Sequence, residues 1–199
     1  MFSENIQDEL ENQGLVCIDI DGFVHKSLNN ESLKNEIHDV TINVTAYDEE
    51  KDETGIVIAK VNVKCFPFIT PESTHSLLDE LSAEYEVVGT GIGLMKNPMP
   101  KATREMRDDG WLFYLERLYV APNCRGIGIG SEILEQLSLF IEDLTALCPS
   151  HIVLIPGAFE IPLGDETRKA ADERLIKFYK KNGCKTMPKS NVMYKAYAW

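Results

Sequence analysis

The sequence lacks any apolar run near the roughly 18 residues of a membrane-crossing helix. Its start, Met1-Phe2-Ser3-Glu4-Asn5, has neither the basic end nor the apolar centre of a signal peptide. An intracellular, cytoplasmic protein with no membrane partner is expected. Paired cysteines are also missing: Cys17, Cys65, Cys124, Cys148 and Cys184 are odd in number, widely spaced and without a C-x-x-C pair. Reduced thiols are expected. The four histidines, His25, His38, His75 and His151, show no ligand spacing, so no metal is expected. Positive charge is scarce. Against 32 Asp and Glu stand 20 Lys and Arg, a net charge of -12. Residues 1–56 hold 14 of the acids and only three lysines, so the deficit belongs to the front of the chain. Nucleic-acid binding requires a basic face to neutralise phosphates, and no nucleic-acid partner is expected. The acidic front either attracts a cationic amine or only keeps the protein soluble.

What is present suffices for one domain with a sizeable core, since 44% of the 199 residues are hydrophobic. Residues 1–13 are polar around Ile6 and Leu10, compatible with a short helix or a frayed N-terminal extension. Leu15 to Ile20 reads as a strand ending near Asp21-Gly22. Asp19-x-Asp21-Gly22 is no calcium loop, because Asn30 stands where the twelfth-position glutamate belongs. A helical turn is expected around Glu31 to Ile37. Val40, Ile42 and Val44 alternate with polar residues as in a half-buried strand, and Gly55 to Phe66 supplies the second arm of a hairpin. Pro71-Glu72-Ser73 predicts a helix start ahead of Leu77, Leu78 and Leu81. Gly89, Gly91 and Gly93 form a glycine-rich stretch with no basic residue to suggest a phosphate site. Pro98 and Pro100 mark an irregular loop.

The informative stretch is Arg125-Gly126-Ile127-Gly128-Ile129-Gly130-Ser131. It follows the strand-like Trp111 to Val120 and opens the helical pattern Ile133, Leu134, Leu137, Phe140, Ile141, Leu144. Glycines take positive φ and admit close approach. The first helical N–H groups lack intrahelical partners, so such a turn is an anion cradle. A Walker loop is excluded because no lysine precedes Ser131. A dinucleotide fingerprint fails in the register that puts Ile133 at the third small position, and is marginal in the one that puts Ser131 there. The pattern Arg125-x-x-Gly128-x-Gly130 after Leu118-Tyr119-Val120-Ala121-Pro122 instead resembles the pyrophosphate loop of the GNAT acyltransferase superfamily. Leu175 to Gly183 resembles that family's later helix, with Tyr179 four places before Gly183. Val192-Met193-Tyr194-Lys195 is similar to its last strand.

The resemblance implies an α/β (α+β) fold: a mixed, mostly antiparallel central sheet with helices on both faces. It would occupy residues 14–199, with residues 67–109 as an insertion that departs from the family where the acceptor site is shaped. It also implies N-acetyl transfer from acetyl-CoA, as cosubstrate, to an unidentified primary amine by direct attack. The alternatives are a CoA-binding regulatory module without catalysis, or transfer of a longer acyl group. Leu118, Tyr119 and Val120 would line the pantetheine arm, and the amides of Gly126, Ile127, Gly128, Ile129, Gly130 and Ser131 would cradle the pyrophosphate beside Arg125. Glu116, the one carboxylate on an apolar strand, is either a buried general base with a raised pKa or a partner of Arg117 or another cation. Tyr179 either protonates the leaving sulfur or packs against Phe178. Asp172 stands where the family often has an asparagine, so an amide contact to the cofactor is not carried over. The cations of the later helix, Arg168, Lys169, Lys177, Lys180 and Lys181, meet phosphates or only face solvent. A homodimer is common among relatives, yet no residue here specifies one.

Overall fold

The computed structural model describes residues 2–26, 37–48, 55–68, 78–79, 83–93, 110–158, 160–162 and 164–196. Its elements are α1 (Glu4–Glu11), β1 (Leu15–Lys26), β2 (His38–Asp48), β3 (Ile56–Phe68), α2 (Ala83–Gly93), β4 (Gly110–Val120), α3 (Ile129–Thr145), β5 (Pro149–Leu154), α4 (Glu166–Lys181), β6 (Lys185–Thr186) and β7 (Met193–Ala196). The strands follow the order β1-β2-β3-β4-β5-β7-β6. The β1–β2, β5–β7 and β6–β7 pairs are antiparallel, and β4–β5 is parallel. This is the mixed, mostly antiparallel sheet that the sequence leads one to expect. The expected turn at residues 31–36, the helix start at residues 71–73 and the proline loop at residues 98–100 lie outside the described residues.

The chain divides into two compact units: Met1–Lys26, His38–Lys64 and Leu115–Cys148 form one, and Ser27–Ile37, Cys65–Tyr114 and Pro149–Trp199 the other. In the first, the N-terminal residues are core. Ile6 and Leu10 fall one turn apart on the same face of α1, and with Phe2 they are buried, Leu10 completely. Glu4 in the first turn suits the helix dipole. Strand β1 runs through Gly22 to Lys26 rather than ending at Asp21-Gly22. A Cβ at Gly22 would stand 2.3 Å from Leu144 Cδ1, so the missing side chain makes room for α3 over a continuing strand. Cys17, at φ 51°, forms a bulge between Val16 and Ile18. In β2, Val40, Ile42, Val44 and Ala46 are buried in strict alternation. On the opposite face Asn62 Nδ2 donates to Thr41 Oγ1 at 2.9 Å, and Lys64 pairs with Asp39.

The second unit closes over Phe66, Leu78, Val88, Leu112, Tyr114, Val153, Met187 and Val192. Tyr85 of α2 stands edge-on to Phe66 (5.6 Å) and Tyr114 (5.4 Å). The glycine-rich stretch is a helix. Each glycine weakens a helix by roughly 1 kcal/mol, yet a Cβ at Gly91 would meet Met187 Sδ at 2.8 Å and Val192 Cγ2 at 3.3 Å. Close packing onto the 187–192 segment accounts for at least that glycine. Asp165 caps α4 by accepting from the Thr167 amide at 2.8 Å. All five cysteines are free thiols, Cys17 exposed and the others at least half-buried.

Two predictions follow from this packing. Leu10→Ala should destabilise the protein by about 2–5 kcal/mol in a denaturant titration, whereas a frayed extension would leave the midpoint where it was. His151 on β5 is buried, which lowers its imidazole from the ordinary 6.5 to about 4. The unfolded chain therefore takes up the proton first. The ring's contribution is complete above pH 6.5 and is lost as pH falls toward about 4, a change of about 3 kcal/mol. Urea titrations at the two ends should show it, and a His151→Phe chain should lack that component.

Candidate functional site

Strand β4 pairs with β5 from Trp111 to Tyr114 and then continues to Val120, past the last rung of that ladder. Its end is pinned twice within the first unit. The Ala121 amide donates to the Ile58 carbonyl at 2.8 Å, and a 3-10 turn, Pro122–Cys124, buries Cys124. Arg125 then folds back. Its Nε donates to the Val120 carbonyl at 2.8 Å, and its guanidinium stands 5.8 Å from the Tyr119 ring centroid. Leu118, Tyr119 and Val120 are half-buried there, and Arg125 is exposed.

Gly126 and Gly128 have φ of 88° and 108°, a region that favours glycine. Gly128 is the N-cap of α3, and its carbonyl accepts from the amides of Ser131 (2.9 Å) and Glu132 (3.1 Å). The Ser131 amide is thus engaged in the first helical turn. Among the described residues, the amides of Gly126, Ile127, Gly128, Ile129 and Gly130 donate to no protein acceptor. A Cβ at Gly126 would meet nothing within 4 Å. Open amides at the positive end of a 17-residue helix suit a pyrophosphate. The helix keeps this orientation because Ile129, Ile133, Leu134, Leu137 and Ile141 bury its other face.

Glu116 differs from the buried carboxylate of the first expectation. Its side chain is 33% exposed, and Lys64 Nζ stands 3.9 Å from its Oε1. The cation beside it comes from β3, while Arg117 is exposed. Lys64 is shared with Asp39 of β2, so three strands contribute Asp39, Lys64 and Glu116 to one charged row. Sequence reading missed Lys64 and Asp39. The alternation of β2 and β3 was the available signal, because it puts both on the polar side of the hairpin.

Tyr179 belongs to the second unit, in the last turn of α4. It is 7% exposed and packs edge-on against Phe178 with ring centroids 5.1 Å apart. Burial, with the Cys184 thiol adding to it, holds its hydroxyl well above the ordinary tyrosine value, so it stays protonated. Asp172 accepts the Ala158 amide at 2.7 Å and faces Arg168 Nε at 3.9 Å, which ties down the segment before α4. Arg168 also donates to the Ile161 carbonyl at 2.6 Å. Lys169, Lys177, Lys180 and Lys181 are exposed. Among the described residues, no group of three or more His, Cys, Asp and Glu could hold a metal ion, and no helix is long and apolar enough to cross a membrane.

The sequence matches the model of the acetyltransferase (GNAT) domain over residues 81–185, just over half its length. The chain belongs to that family. It is an acyltransferase by that membership, and the cosubstrate of a GNAT domain is an acyl-CoA. Among solved structures it is similar to a mutant of KacT, at 10% identity over 84% of this chain and 78% of that one, with a TM-score of 0.39. It is also similar to the KacTA–DNA complex, at 9% identity over 90% and 93%, TM-score 0.42. A third is arylalkylamine N-acetyltransferase 2 from Aedes aegypti, at 13% identity over 78% and 72%, TM-score 0.36. Comparison with curated proteins finds no match.

The acyl-CoA cosubstrate of a GNAT domain makes a test of the open amides available. Gly128→Val combines a disfavoured φ with a side chain at the cradle. CoA affinity should fall at least about tenfold, a loss of 1.4 kcal/mol or more, while circular dichroism stays that of the parent; undiminished binding would dismiss the cradle.

Proposed function

We propose that the protein is an N-acetyltransferase that moves an acetyl group from acetyl-CoA directly to a primary amine. The observation that supports this most is the run of open amides from Gly126 to Gly130 at the start of α3. On this reading the pyrophosphate sits on those amides with Arg125 beside it, and the backbone of Leu118, Tyr119 and Val120 follows the pantetheine arm. A strand amide near Leu118 or Tyr119 donates to the oxygen of the tetrahedral intermediate, a contact worth about 3–4 kcal/mol in other enzymes.

The neutral amine nitrogen attacks the thioester carbonyl, the C–N bond forms and the C–S bond breaks. Glu116 takes the proton released by the amine, directly or through water. Tyr179 gives its hydroxyl proton to the departing sulfur, a role that suits a hydroxyl kept neutral by burial. The acidic front of the chain favours a cationic amine and disfavours nucleic acid as the acceptor side's partner.

A second reading, a CoA-binding regulatory module, draws on Lys64, which stands beside Glu116 as a structural ion pair would. Calorimetric titration with acetyl-CoA and a thiol-release screen against pooled amines separate the two. Binding with release supports the enzyme; binding without release supports the module. Once an acceptor is found, Glu116→Gln and Tyr179→Phe should each lower kcat by about 10²–10⁴ with CoA affinity unchanged. A cellular effect that survives the double variant would mean that transfer is not the protein's role.

A further inference from the structure

We propose that α1 buttresses the cofactor loop, with Ile6 as the positioning residue that holds Gly128 in place. The inference rests on reading Gly126–Gly130 as the pyrophosphate cradle. That cradle is not fixed by hydrogen bonds of its own amides, since among the described residues those amides have no protein acceptor. Between its bonded ends, at Arg125 and at the Gly128 carbonyl, packing is what remains to hold its shape. Gly128, whose φ of 108° sets the direction of the loop into α3, is the glycine that α1 reaches. A Cβ there would lie 3.4 Å from Ile6 Cδ1 and 3.5 Å from Ile6 Cγ1, whereas at Gly126 nothing comes within 4 Å. The bare face of Gly128 is thus the surface on which the Ile6 side chain rests.

Ile6 is itself held firmly. It is 4% exposed, its amide donates to the Ser3 carbonyl at 3.0 Å, and Phe2 and Leu10 are buried on either side of it along the chain. The next side chain, Gln7, donates to the Phe2 carbonyl at 2.9 Å, which fixes the start of the helix. A loop bonded at its two ends but not through the amides between them therefore leans on a braced helix. Affinity for acyl-CoA then depends on a residue far outside the 81–185 family match, and Ile6, alone among the α1 side chains in reaching Gly128, belongs to the cofactor machinery.

The test is calorimetric titration of the full chain with CoA, each variant also followed by thermal melting. Ile6→Ala should weaken CoA by about three- to tenfold. Ile6→Val keeps the γ carbons and should recover most of that loss. Leu10→Val, on the same helix and equally buried but not reaching Gly128, should lower the melting temperature with CoA affinity unchanged. Wild-type affinity in Ile6→Ala overturns the inference and leaves the cradle standing, as does a Leu10→Val loss equal to that of Ile6→Ala. A folded wild-type chain that binds no CoA overturns the cradle reading, and the inference falls with it.

Discussion

The structure is arranged around a helix terminus that must keep its amides open. A buried backbone N–H without an acceptor is costly, so such a terminus persists only where solvent or a ligand can reach it. The chain meets this condition with glycines at φ 88° and 108° and no Cβ to cover the opening. The opposing requirement is that the loop should not collapse onto itself. Arg125 bonded to the Val120 carbonyl ties one end of the loop to β4, and the Gly128 carbonyl engaged by Ser131 and Glu132 ties the other to α3.

Much of this was legible because local chemistry dictates it. The β4 strand, the glycine loop and the amphipathic α3 follow from periodicity and from glycine, and no distant residue can change those signals. The alternation in β2 was equally plain. The boundaries that moved did so through tertiary packing. Asp21-Gly22 has the composition of a turn, but Leu144 of α3 needs the space over Gly22, and β1 runs on. Gly89, Gly91 and Gly93 stand out only as a glycine-rich stretch, and the approach of Met187 and Val192 to Gly91 suits the helix they form. The two-residue β6 is too short to produce any pattern.

The site was legible to different depths. The glycine loop is backbone chemistry, so its sequence marks it, whereas the engagement of the Ser131 amide in the first helical turn has no sequence signal. Glu116 was found as a carboxylate on an apolar strand, but its surroundings were not, because Asp39 and Lys64 come from strands 52 residues or more away in sequence. Ile6 lay further still from recognition. Nothing in a polar N-terminal segment indicates that one of its isoleucines will meet a glycine more than 120 residues later.

The charged row on the polar face constrains how Glu116 can act. Lys64 makes its close pair with Asp39, and at 3.9 Å it stands outside hydrogen-bond reach of Glu116. A lysine attached equally to both carboxylates would have to be displaced before an amine could use Glu116 as its proton acceptor. A lysine committed to Asp39 does not make that close contact, yet it still contributes a nearby positive charge. Asp39 thus shares the Lys64 charge with Glu116, and the surroundings of this carboxylate are an electrostatic balance across three strands rather than the apolar burial of a single side chain.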